Sequence, residues 1–154
     1  MSYLPLAVFI ILVVATASTG AIFSPGAWYD RLEKPSWTPP DWAFPVVWSV
    51  LYLMIAIAGW LVWEKAGFGL AIVLWGLQLF LNGAWSWLFF GRRRMDQAFA
   101  DVTLLWITIA AFVVVAWPIS PLAASLFLPY LLWVSIAAAL NWTVWRMNPE
   151  VTAS

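Results

Sequence analysis

The sequence predicts an all-α integral membrane protein: a bundle of five transmembrane helices with a structured, proline- and tryptophan-rich first loop. Three observations carry that expectation. The 154 residues are 65% hydrophobic and 9% charged, with a mean hydropathy of +0.91, far from the composition of a soluble domain. The apolar residues fall into blocks of about twenty, the length that crosses a bilayer as helix. Proline and tryptophan crowd into one interval, Lys34 to Tyr52, between the first two blocks.

By length the chain is a single domain, 1–154. Zero net charge points to neither nucleic acid nor an acidic substrate. The absence of cysteine removes disulfides, zinc-thiolate sites and thiol catalysis. The absence of histidine removes the commonest general base and the usual protein ligand to haem iron. No metal site is expected.

Taken in order, the spans are expected at about 4–23, 39–63, 70–90, 97–117 and 122–145. The first begins with Pro5 in its first turn, where proline is tolerated. Ala15-Thr16-Ala17 resembles a signal-cleavage site, but no Lys or Arg precedes the apolar run, and the run continues through Phe23. A retained first helix is therefore expected. Its small-residue second half lets neighbouring helices approach closely. In the first loop, Ser24-Pro25 reads as the cap of a short helix. Asp30 and Lys34 stand i,i+4, with Trp28 and Leu32 on a shared side.

From Pro35 to Pro40 the prolines remove donors and fix φ, which excludes regular helix. A stiff segment carrying Trp37, Trp42 and Trp48 beside a membrane is either a plain boundary or a lid over a pocket, and we read it as a lid. Thr38 to Asp41 has capping-box spacing and opens the second span. Gly67 allows the next turn, and Gly91 is expected to end the third span as its C′ glycine. Pro118 stops the fourth, Ser120-Pro121 caps the fifth, and Pro129 is expected to bend the fifth and free the carbonyl of Ser125.

Lys and Arg flank the spans unevenly. Arg31, Lys34, Arg92, Arg93, Arg94 and Arg146 fall on one side, against Lys65 on the other. The positive-inside rule then puts the first loop and the C-terminus in the cytoplasm and the N-terminus outside.

Trp42, Trp60, Trp63, Trp87, Trp117, Trp142 and Trp145 sit near span ends and read as an interfacial belt. Trp48, Trp75, Trp85, Trp106 and Trp133 lie deeper. Gln78, Asn82, Trp85 and Phe89 line one face of the third span, and amides there must meet a partner helix or a cavity. Trp133, Ala137 and Asn141 share a face of the fifth span, and Trp48 and Tyr52 are one turn apart in the second. If these faces converge beneath the first loop, they make an aromatic pocket for a flat hydrophobic ligand. Gly69, Gly76 and Gly83 repeat every seven residues, a seam that either packs inside the bundle or joins two copies. Asp101 is shallow enough to pair with Arg94 or to reach water.

These residues resemble the tryptophan-rich sensory protein, or translocator protein (TspO/MBR), family. Trp28-Tyr29-Asp30 with Lys34-Pro35-Ser36-Trp37-Thr38-Pro39-Pro40 is similar to its first-loop signature. Trp48-Ser49-Val50-Leu51-Tyr52, Gln78 with Asn82 and Trp85, and Pro129-Tyr130-Leu131-Leu132-Trp133 are similar to its other motifs, over nearly the whole chain. The resemblance implies a multi-pass protein of a bacterial cell membrane, often a homodimer, surrounded by lipid. It implies a receptor or sensor that binds porphyrins, protoporphyrin or haem, with no obligatory cofactor, and regulates tetrapyrrole metabolism. Carried over residue by residue, the pocket would use Tyr29, Trp48, Tyr52, Asn82, Trp85, Trp133 and Ala137, to which the third-span face adds Gln78 and Phe89 and the first loop adds Trp37.

Transport of the same ligands is one alternative. Light-dependent degradation of porphyrin, with Trp48 and Trp133 as the matching tryptophans, is the other. No acid–base pair, nucleophile dyad or metal cluster can be drawn for any other enzyme chemistry. The sterol motif of animal members carries a tyrosine where this chain has Trp142, which puts sterol binding in doubt.

Overall fold

The computed structural model describes residues 3–23 and 26–149. Five helical stretches in it are long and apolar enough to cross a membrane. The first is α1 (Leu4–Ile22), with Pro5 in its first turn. Its hydroxyls turn back on their own helix, as they must in hydrocarbon: Thr19 Oγ1 donates to the Thr16 carbonyl (2.7 Å) and Ser18 Oγ to that of Ala15 (2.7 Å). The expected Ser24-Pro25 cap lies outside the described residues.

The one-turn helix α2 (Ala27–Asp30) follows. Lys34 does not pair with the Asp30 carboxylate. Its ammonium instead donates to the carbonyls of Tyr29 (2.8 Å) and Leu32 (3.2 Å) and lies 4.6 Å from the centre of the Tyr29 ring. A cation placed there satisfies carbonyls that the short helix leaves open. Asn148, at the far end of the chain, clips the loop down. Its amide donates to the Glu33 carbonyl (2.9 Å), and its carbonyl accepts from the Glu33 N–H (3.0 Å).

The second span is α3 (Ala43–Ala66), which starts later than expected. The capping box does not form, because Pro39 and Pro40 keep Thr38 to Asp41 out of the helix. Thr38 Oγ1 closes a turn on the Pro35 carbonyl instead (2.7 Å). At the other end Gly67 takes a left-handed φ of 65°, and its N–H returns to the Trp63 carbonyl (2.8 Å).

The third span is α4 (Leu70–Ser86) continued by a π-helical turn, Trp87–Gly91. Gly91 is not the left-handed terminator. Arg93 holds that conformation, with φ 57°. Gly91 is needed for space, since a Cβ there would sit 2.8 Å from the Phe23 ring. The fourth span is α5 (Met95–Ala116), and the fifth is divided into α6 (Pro121–Leu126) and α7 (Leu128–Met147). Ser120 caps α6, its Oγ accepting from the Ala123 N–H (3.1 Å). Pro129 falls in the first turn of α7, so the expected bend is a full break at Phe127.

The spans close into a ring: α1 beside α3, α3 beside α6, α6 and α7 beside α5, α5 beside α4, and α4 back to α1. The glycine seam is split by this arrangement. Gly83 packs inside, where a Cβ would meet Thr16 and Thr19 of α1 at 3.6 Å, whereas Gly69 and Gly76 face open space. Asp101 does not reach Arg94. It is buried on α5 with Oδ2 unpartnered, while Arg94 grips Asp96 with two hydrogen bonds of 3.0 and 2.7 Å.

Candidate functional site

At the first-loop end the ring surrounds a cavity of about 510 Å³, within the range of small-molecule sites. All five spans contribute to its wall. Of the residues expected in the site, Trp48 and Tyr52 line it from α3, Asn82 and Trp85 from α4, and Ala137 from α7. Trp48 and Trp85 thus border one space from two different helices.

Four further candidates lie outside the lining, in a second layer. Trp133 stands edge-on to Trp48 (6.3 Å, 86°) and to Phe44 (5.7 Å, 68°), its buried indole N–H unpartnered. Phe89 stacks on Trp85 (5.1 Å, 28°), brought there by the π-helical turn. Tyr29 meets Phe89 (6.3 Å) and the lining residue Phe90 (5.6 Å). Gln78 is fully buried behind Asn82. Trp37 belongs to neither layer: it is 49% exposed on the loop. The loop reaches the cavity through Asp41 instead. Of the other deep tryptophans, Trp75 is buried and donates to the Ile55 carbonyl (2.9 Å), and Trp106 faces outward and donates to Ser135 Oγ (2.8 Å).

The amides of α4 are satisfied by a directional relay. Tyr52 O–H donates to Asn82 Oδ1 (2.9 Å), Asn82 Nδ2 to Tyr130 Oη (2.7 Å), and Tyr130 O–H to Gln78 Oε1 (2.8 Å). Gln78 Nε2 then donates to the Trp75 carbonyl (2.8 Å). Each donor is also an acceptor or sits beside one, so the chain polarises in one direction. Gln78 is therefore interhelical glue, and Asn82 both binds its neighbours and faces the cavity. A second link ties Trp85 Nε1 to Asn141 Oδ1 (3.0 Å) and Asn141 Nδ2 to the Met95 carbonyl (2.9 Å). Trp85 is thus fixed by a hydrogen bond, whereas Trp48 is held by ring contacts, stacked on Tyr52 (5.4 Å, 26°) and edge-on to Tyr130 (6.3 Å, 73°).

The Tyr29 hydroxyl is buried and unpartnered. Its pKa is pushed up to about 12, first by burial and then by the charges of Asp41 and Asp30. It is a neutral donor at ordinary pH.

The contribution of α1 was not legible beforehand. Ala17, Gly20, Ala21 and Phe23 line the cavity; the first three had small size as their only signal, and Phe23 was read only as the end of the first span. Tyr130, the hub of the relay, was read only as part of the Pro129–Trp133 motif and not as a hydrogen-bonding residue. Asn148 carried no signal.

A family model described as the TspO/MBR family matches residues 7–146. The chain is 42% identical to protein CrtK of Rhodobacter capsulatus, over 97% of this chain and 96% of that one. It is 39% identical to the tryptophan-rich sensory protein of Cereibacter sphaeroides, over 90% of each. Against the translocator protein of Homo sapiens the identity is 44%, over 79% of this chain and 75% of the relative. A ring of five spans, Trp48 and Trp85 bordering one cavity and a match over nearly all of its length leave one assignment: the chain is a multi-pass membrane protein of the TspO/MBR family.

Proposed function

We propose that this protein is a membrane receptor that binds a porphyrin in the cavity and reports on tetrapyrrole supply. The observation that carries this reading is the cavity wall, to which α3 contributes the Trp48 indole and Tyr52, and α4 the Trp85 indole and Asn82. Two aromatic walls with a few fixed polar groups suit a flat, apolar ring. With no histidine or cysteine in the chain, iron gains no strong protein ligand, so metal-free protoporphyrin is expected to bind at least as well as haem.

Titration of the protein in detergent with protoporphyrin and then haem, followed by tryptophan fluorescence, tests both points. Trp48→Phe should lose a large share of the quenching and weaken binding several-fold. Quenching and affinity equal to the unaltered protein would remove the cavity from the account. The end carrying Arg31, Lys34, the Arg92–Arg94 run and Arg146 is proposed to face the cytoplasm, which cysteine labelling at an exposed loop position such as Ser36 would check. We place the contact between two copies on the open face of α4 around Gly69 and Gly76.

A further inference from the structure

The cavity is not equally closed on all sides. Its deep wall is buried, at Asn82, Val102, Leu105 and Val134. Four of its lining residues are exposed: Ala21 on α1, Pro45 and Ser49 on α3, and Asp41 just before α3. The opening therefore lies between two helices.

The packing of α1 explains the opening. At the end far from the first loop, α1 is fastened to α3. Tyr3 meets Trp60 (6.1 Å) and Phe9 meets Trp63 (6.4 Å), and a Cβ on Gly59 would sit 2.9 Å from the Phe9 ring. At the loop end α1 leans on α4 instead. Thr16 and Thr19 approach Gly83, Gly20 comes within 3.9 Å of Ser86 Oγ, and Phe23 presses on Gly91. A helix pinned to one neighbour at the bottom and to another at the top leaves a wedge between itself and the first. The rim of that wedge is Ala17 and Ala21 on one side and Pro45 and Ser49 on the other. All four side chains are small, and Ser49 Oγ is already turned onto the Pro45 carbonyl (2.7 Å). Both rims belong to membrane-crossing helices, so the wedge faces hydrocarbon. Asp41, which carries the one charge in the lining, marks its water-facing end.

From this geometry we infer that the cavity fills from the bilayer, through a window between α1 and α3 rimmed by Ala17, Ala21, Pro45 and Ser49. The ligand class is a flat amphiphile dissolved in the membrane. It slides sideways under the first loop with its ionised edge left in the water-facing layer, so no charge crosses hydrocarbon. This inference rests on the porphyrin reading for its ligand, and the geometry of the window stands apart from it.

The chain has no cysteine, so pairs can be introduced cleanly. The Ala21→Cys/Ser49→Cys double variant in phosphatidylcholine vesicles is bridged with a short, reductively cleavable bis-maleimide, and protoporphyrin uptake is followed by stopped-flow tryptophan quenching. Relative to the same double variant left unbridged, bridging should slow association about tenfold or more, and cleavage should restore the unbridged rate. Association at the unbridged rate would overturn the window. A spin label on each single variant provides an arm that needs no ligand. Greater accessibility to dissolved oxygen than to a water-soluble nickel complex is the expected result, and the reverse order overturns the inference. Failure of unbridged protein to bind protoporphyrin would count against the porphyrin reading alone, and the spin labels then decide the window.

Discussion

Tyr130 is where the cavity wall is tied to the dry interior. Fully buried, it accepts from Asn82 and donates to Gln78, so one hydroxyl holds two amides in hydrocarbon. Tyr130→Phe should cost about 1–2 kcal/mol, since two partners are left unsatisfied while the membrane-unfolded state finds substitutes. Thermal unfolding in detergent measures this, and adding Gln78→Leu should recover part of the loss. Tyr29 is the opposite case: its hydroxyl has no partner to lose. Tyr29→Phe should leave protoporphyrin affinity within about twofold and raise stability by up to about 1 kcal/mol. A raised pKa gives stability that is complete below the ordinary value of 10.0 and lost as pH climbs towards about 12. Hydrogen exchange in the first loop should therefore quicken over that interval in the unaltered protein, and less so in the variant. Residue types were readable in the sequence, and whether each stood in the first or second layer was not. Trp48 and Trp133 carry the same side chain, and only packing sets one in the wall and the other behind it.

Among the elements, α4 shows what periodicity can and cannot say. The face Gln78, Asn82, Trp85 was legible from i, i+4, i+7 spacing and does point inward. The seven-residue glycine repeat suggested one seam, and a drift of about 20° per heptad keeps Gly76 and Gly83 on nearly one face; α1 comes up to that face at Gly83, through Thr16 and Thr19, and leaves Gly76 open. On the proposal that two copies meet at this face, Gly76→Trp should shift the protein towards monomer on size-exclusion chromatography with light scattering, with ligand affinity unchanged. An unaltered dimer would move the contact elsewhere. Local terminators followed the same logic. Pro129 acts through its own ring and was readable. Gly91 answers to Phe23, a residue far away in sequence, so its role appeared only with the fold. Thr38 was misread because two prolines stand between it and the helix it would have capped.

At the scale of the molecule, hydropathy and length were enough for the count of spans, since each satisfies its own backbone in hydrocarbon. The order of the ring was not available, because lipid-facing and partner-facing apolar surfaces have the same composition. This is why α1, bland and small-residue rich, was missed as a cavity wall and as one side of its opening. The central claim is that a flat ligand occupies the space between Trp48 and Trp85. Protoporphyrin affinity of Ala137→Trp, which fills that space, measured beside Leu132→Trp on the exposed side of the same helix, tests it most directly. The account predicts a loss of about tenfold or more for the first and none for the second; equal affinities in the two variants would contradict it.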